Sequence, residues 1–161
     1  MARHSYYGPI TYGADYTDYT RVTFWGSITD VGLDAYFPLS TTPNPTVPQL
    51  SHQWNRIASR IEAWRRKSHL ASKPFLITEL GYPSESGAAL NPGSWSPRQP
   101  VNLSLQKHLY QATFRSIWPR SCGFGGPIRL TLTGAVGLTT TDTQSAIAYP
   151  ASLTPILEVL F

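Results

Sequence analysis

Lys73-Pro-Phe-Leu-Ile-Thr-Glu-Leu-Gly-Tyr82 is a short apolar run with a proline near its start, a glycine near its end and a single carboxylate, Glu79. An extended chain alternates its side chains, so Phe75, Ile77 and Glu79 are expected on one face and Leu76, Thr78 and Leu80 on the other. Continuous apolar character between a proline and a glycine predicts a strand of a parallel sheet covered on both faces. Glu79 falls at the exit of that strand. A carboxylate loses hydration as it is buried, so it needs hydrogen-bond donors or a chemical role. The plain alternative is a solvated strand-exit Glu paired with a nearby Arg.

Upstream, Leu50, Trp54, Ile57, Ile61 and Trp64 recur at steps of four and three, which predicts an amphipathic helix. Pro38, Pro43, Pro45 and Pro48 precede it and are read as a loop. Before that loop, residues 31–37 alternate: Val31, Leu33, Ala35 and Phe37 share one face, Gly32, Asp34 and Tyr36 the other. Residues 9–15 form another short strand, running into an aromatic, acidic loop with Tyr16, Asp18 and Tyr19. Downstream, a Gly/Pro/Ser-rich loop covers 81–100. A helix over about 102–117 carries Leu103, Tyr110, Phe114 and Ile117 on one stripe, with Leu105, Leu109 and Ala112 beside it. Strands alternating with helices indicate parallel βα units, whose ligands bind beyond the carboxyl ends of the strands. Asp15, Tyr36 and Glu79 all fall at such ends.

At 161 residues the chain has room for one domain with a core, but not for eight complete βα units, which take about 250 residues. One cysteine, Cys122, allows no internal disulfide. The first nine residues lack the apolar core of a signal peptide, and no run is apolar enough to cross a bilayer, so no membrane partner is expected. The net charge of +4 concentrates at Arg65-Arg66-Lys67, read as a solvated helix face near a C-terminus rather than a nucleic-acid surface. His4, His52, His69 and His108 have no metal-ligand spacing, and no Gly-rich phosphate loop follows a strand, so neither metal nor cofactor is expected.

Leu33-Asp-Ala-Tyr-Phe-Pro-Leu39, followed by the 73–82 run, resembles the second half of a clan A glycoside hydrolase barrel, most of all the mannanase-like family numbered 113. The resemblance covers residues 8–118 and includes Gly87-Ala-Ala89 and the helix with Gln106 and Tyr110. It implies a partial (β/α)8 TIM barrel, about strands five to seven with their helices, occupying residues 1–120. Its implied activity is retaining hydrolysis of a β-linked polysaccharide or oligosaccharide such as mannan. Such enzymes use two carboxylates about 5–5.5 Å apart. By resemblance Glu79 is the nucleophile and Tyr36 its hydrogen-bonding neighbour. Tyr82 and Trp95 are expected to line the cleft after that strand, with Asp15 and Tyr16 as further sugar contacts, while Trp25 matches a Trp whose role is structural or sugar-binding. The family's acid/base Glu lies on an earlier strand that the resemblance does not cover, and Glu62 and Glu85, a helix and a loop-tip residue, do not replace it. The isolated chain is therefore expected to be inactive. The rival readings are a non-catalytic carbohydrate-binding protein and an inactive gene remnant.

Residues 121–161 change character: after Pro119 there is no Trp, and from Cys122 only Arg129, Asp142 and Glu158 are charged. This tail is read as non-family-like and poorly packed. Permissible codons for Cys122 to Ala151 also read, one nucleotide out of register, as a Trp-rich sequence similar to the family's missing end. A frameshift near Ser121 or Cys122 is the corresponding expectation.

Overall fold

A computed structural model describes residues 6–94, 96, 98–117 and 129–130. Along them run β1 (Thr11–Asp15), β2 (Asp30–Asp34), α1 (Val47–Lys67), β3 (Phe75–Glu79), α2 (Leu103–Ile117) and the two-residue β4 (Arg129–Leu130). The strands make one sheet in the order β1-β2-β3-β4, each neighbouring pair parallel. Spatial order equal to chain order is the arrangement of successive barrel units, not of a doubly wound sheet whose order reverses midway. Two 3-10 turns, Tyr19–Arg21 and Trp25–Ser27, stand between β1 and β2 in place of a helix. β4 was not legible in the tail composition, and the rest of residues 121–161 lies outside the described residues.

The core sits between the sheet and the helices. Val31, Leu33, Ala35 and Phe37 of β2 and its extension are buried, as alternation predicts, against Leu50, Trp54, Ile57 and Ile61 of α1. Phe75 and Ile77 are buried too, whereas Leu76 and Thr78 on the opposite face of β3 are only half-buried. The expectation of cover on both faces is thus met on the helix side alone among the described residues. In α2 the buried set is Leu105, Leu109, Ala112, Thr113 and Ser116 with Ile117, while Leu103 and Phe114 are exposed. The sequence offers two adjacent apolar stripes: Leu105, Leu109 and Ala112 are buried, while of the other only Ile117 is buried and Tyr110 half-buried against the core. Burial depends on the neighbouring elements, which periodicity does not contain.

Local chemistry sets the ends of α1. Thr46 accepts the Gln49 N–H at 3.4 Å, and Gln49 Oε1 accepts the Thr46 N–H at 2.8 Å, a reciprocal capping box. Pro48, expected in the loop, belongs to the first helical turn, where a missing N–H costs nothing because that turn has no intrahelical acceptor. At the other end Arg65 does not join a solvated basic face. It is buried, its Nη2 donating to the carbonyls of Ala71 at 3.2 Å and Lys73 at 2.5 Å, and its guanidinium lies 5.3 Å from the centroid of the Phe75 ring. Lys73 in turn donates its ammonium to the carbonyl of Ile28. The α1–β3 connection is thereby fastened to the β1–β2 loop, and the start of β3 is fixed.

Candidate active site

Registration between β2 and β3 decides where Glu79 points. Leu33 pairs with Ile77, but Asp34 pairs with Glu79, so Thr78 is an extra residue in β3 and the strand bulges there. A bulge breaks alternation and re-aims the residue that follows it. Thr78 lies on the Gly13, Gly32 and Asp34 face: its hydroxyl donates to Asp34 Oδ1 at 2.5 Å, and a Cβ on Gly13 would come within 3.0 Å of both groups. Glu79 turns toward Tyr36 of that same face, and Leu80 goes into the core in its place. The expectation that Glu79 shares a face with Phe75 and Ile77 is corrected accordingly.

Tyr36 donates its hydroxyl to Glu79 Oε2 at 3.2 Å across the ends of the two adjacent parallel strands. Burial, and after it the Glu79 carboxylate beside the hydroxyl, hold the Tyr36 phenol above its ordinary value. Asp34 adds to the same effect. The phenol therefore stays protonated, and remains a donor, throughout neutral pH. Glycines frame its ring: Gly81 faces Cε1, and a Cβ on Gly93 would stand 3.4 Å from the Tyr36 Cβ. Glu79 itself is exposed, so one carboxylate oxygen is held by a donor while the group stays open to a ligand.

The other expected site residues are distributed differently. Asp15 ends β1, but its Oδ1 accepts from the Thr17 N–H at 2.8 Å and the Thr17 hydroxyl at 2.5 Å, which closes its own turn. Tyr16 packs edge-on against Phe37 with ring centroids 5.2 Å apart. Tyr82 is a core residue, only 5% exposed: its hydroxyl meets Thr113 Oγ1 at 2.6 Å and receives the Trp54 indole N–H at 3.2 Å. Burial drives its phenol far above the ordinary value. A ring enclosed between α1 and α2 does not line a cleft, and the expectation for Tyr82 fails because Leu80 and Tyr82 follow the bulge onto the core side. Trp25 is likewise buried, donating its indole N–H to the Tyr19 carbonyl at 2.9 Å, which is the structural role. Trp95 lies outside the described residues.

Two residues enter the site that sequence reasoning had not assigned to it. Asp34 shares the Tyr36 face, and alternation along 31–37 already placed it there. Gln106 donates its amide to the Tyr82 carbonyl at 2.8 Å and so steadies the chain just after Glu79. Only the pairing of α2 with that loop reveals this contact. Among the described residues no three His, Cys, Asp or Glu are grouped to hold a metal ion, and no helix is long and apolar enough to cross a membrane.

Parallel βα units in chain order, with a carboxylate and a phenol joined at the carboxyl ends of neighbouring strands, define a β/α-barrel type of protein with its polar site in the usual place. The model of Glycoside Hydrolase Family 113 matches residues 1–126. The chain belongs to that family. It is similar to two solved structures, a complex structure of a GH113 β-1,4-mannanase and a structure of a GH113 β-1,4-mannanase, each at 30% identity and a TM-score of 0.61, covering 80% of this chain and 36% of that one. The GH113 β-mannanase AaManA from Alicyclobacillus acidocaldarius, in complex with ManMIm, shares the fold at 24% identity and a TM-score of 0.56, over 71% of this chain and 32% of that one. The chain thus spans about a third of the length of these mannanases. No curated protein matches it.

Proposed function

We propose that residues 1–120 are the later part, about strands five to seven, of a retaining β-glycosidase barrel acting on a β-1,4-linked mannan-like polysaccharide, with Glu79 as its nucleophile. The observation that carries this is the Tyr36–Glu79 hydrogen bond of 3.2 Å at the mouth of the sheet, in a chain of this family. Glu79 attacks the anomeric carbon through one carboxylate oxygen as the bond to the leaving sugar oxygen breaks. An acid supplied by barrel residues beyond this chain protonates that oxygen. Water then attacks the glycosyl–enzyme ester, giving its proton to the same residue and releasing Glu79. Tyr36 holds the other oxygen of Glu79, which orients the attacking one and lets the carboxylate accept and release charge without rotating. The similarity of the chain to β-1,4-mannanases supports the substrate class.

The nucleotide sequence around the gene, and then activity, test the reading. A strand ending in a Glu is expected in the upstream DNA, and the Trp-rich end in an alternative frame beyond Ser121. Joined to that upstream sequence, the protein is expected to hydrolyse β-1,4-mannan, while the 161-residue chain alone does not. Glu79→Gln in the joined protein should lower kcat by about 10³-fold or more, roughly 4 kcal/mol of barrier. A mechanism-based mannosyl inhibitor should label the 73–82 peptide. Hydrolysis unaffected by Glu79→Gln, or sugar binding without any hydrolysis in the joined protein, would sink the proposal.

A further inference from the structure

We propose that Glu85 is a positioning residue for the active site: its side chain pins the loop after β3 so that the loop backbone holds the Tyr36 ring in place beside Glu79. The sequence places Glu85 at a loop tip, yet it is only 8% exposed. Its Oε2 accepts the backbone N–H of Ser96 at 2.9 Å, eleven residues along the chain. A half-buried backbone N–H without such an acceptor is costly, so the carboxylate selects one closed geometry for the loop.

The neck of the loop is closed around the same residue. Glu85 forms an antiparallel bridge with Val101. On either side the Ser86 N–H donates to the Pro100 carbonyl and the Asn102 N–H to the Ser84 carbonyl, both at 2.8 Å. Asn102 then accepts the Leu105 N–H at 2.9 Å, so the neck is continuous with the start of α2. The outgoing arm buries Ala88 and Ala89, and the Ala89 carbonyl accepts the Leu39 N–H at 2.8 Å, three residues past Tyr36. The returning arm brings Gly93 alongside Tyr36, where an added Cβ would stand in van der Waals contact with the base of the side chain, 3.4 Å from its Cβ and 3.5 Å from its Cγ. Glu85 therefore joins the neck to the returning arm, and Gly93 joins that arm to Tyr36. With the arm released, the Tyr36 side chain loses its Gly93 contact and is held on that flank less firmly toward Glu79.

The catalytic value of holding Tyr36 rests on the reading of Glu79 as nucleophile, but the contact does not, and the test separates the two. Full-length chain carrying tyrosine labelled with carbon-13 at the ring carbon bearing the hydroxyl is titrated by NMR, with Tyr36 assigned through Tyr36→Phe. Glu85→Ala and Ser96→Pro, which remove the acceptor and the donor respectively, should each bring the Tyr36 titration down toward an ordinary phenol by about half a pH unit or more. The core Tyr82 signal should stay where it is. Glu85→Gln keeps an acceptor for Ser96 and should restore most of the original value. In the unaltered chain the Ser96 amide should exchange with solvent many times more slowly than an exposed amide. An unchanged Tyr36 titration in the two disrupting variants with Tyr82 in place, or a freely exchanging Ser96 amide in the unaltered chain, overturns the proposal. Glu79→Gln should move the Tyr36 signal without exposing Ser96, and an unmoved signal would overturn the proposal too, whereas hydrolysis in the joined protein unaffected by Glu79→Gln counts against the nucleophile alone and leaves the Glu85 contact standing.

Discussion

Tyr36 and Glu79 are forty-three positions apart in the chain and meet because a single extra residue, Thr78, turns one strand over at its end. The carboxylate at a strand exit was legible in the sequence, and so was Tyr36 on the Gly32–Asp34 face. The face of Glu79 was not, because a bulge is a property of two strands in register and alternation is read along one. The same slip explains why Tyr82 looked like a cleft residue and is instead held by Trp54 and Thr113. Losing the Tyr36 donor should therefore be felt in chemistry more than in folding, since its ring is only half-buried. In the joined, active protein Tyr36→Phe is expected to lower kcat by about 10- to 100-fold, the equivalent of one hydrogen bond to a charged group at about 1.5–3 kcal/mol. Steady-state kinetics on mannan with KM little changed would support it, and a kcat equal to that of the parent would refute it.

The helices owe their limits to a few polar and backbone contacts. At the C-terminus of α1, His69 adopts φ 57°, the Leu70 N–H donates to the Arg65 carbonyl at 2.8 Å and the His69 N–H to the Arg66 carbonyl at 3.2 Å. That pair of bonds is a Schellman cap, with Leu70 packed beneath it. A side chain with a Cβ is strained in this left-handed conformation and glycine is not. His69→Gly should accordingly stabilise the chain by about 0.5–1 kcal/mol, net of the freedom glycine adds to the unfolded state. At the other end Thr46→Ala removes one half of the capping box and should cost about 1 kcal/mol. Urea denaturation of both variants, read by the Trp fluorescence of the core, checks these opposite signs. The extent of α1 was visible from its apolar spacing and only its first turn was misread, since Pro48 looks like a breaker unless the N-cap is recognised. Packing of α2 was less legible: Leu103, Tyr110 and Phe114 make as good a stripe on paper as Leu105, Leu109 and Ala112. Only the position of α1, whose Ser51 carbonyl accepts the Ser116 hydroxyl at 3.3 Å, decides between them.

Across the molecule, phenols link folding to proton binding. Burial raises the ionisation of Tyr82, Tyr19, Tyr110 and Tyr36 above the ordinary 10.0. Around Tyr36 the Glu79 and Asp34 carboxylates reinforce the shift, whereas Arg60 partly offsets it at Tyr19 and the hydrogen bonds with Thr113 and Trp54 partly offset it at Tyr82. A group whose folded value lies above its unfolded value keeps its proton in the fold and loses it more readily in the open chain. The stabilisation this represents is complete below pH 10.0 and is lost as pH rises from there through the folded values. Stability should therefore be nearly independent of these groups at neutral pH and fall above about pH 10, by up to roughly 1.4 kcal/mol per pH unit for each phenol still protonated in the fold. Denaturation midpoints measured between pH 8 and 11.5, with tyrosinate absorbance followed in parallel, give the slope. Ionisation of Tyr82 and loss of near-ultraviolet dichroism are expected to coincide, because its phenolate would be stripped of water between α1 and α2 unless their contact opened. If tyrosinate formed for all nine tyrosines near pH 10 while the core signal persisted, the phenols would not be buried as described and the link between sheet, helices and Tyr36 would be wrong.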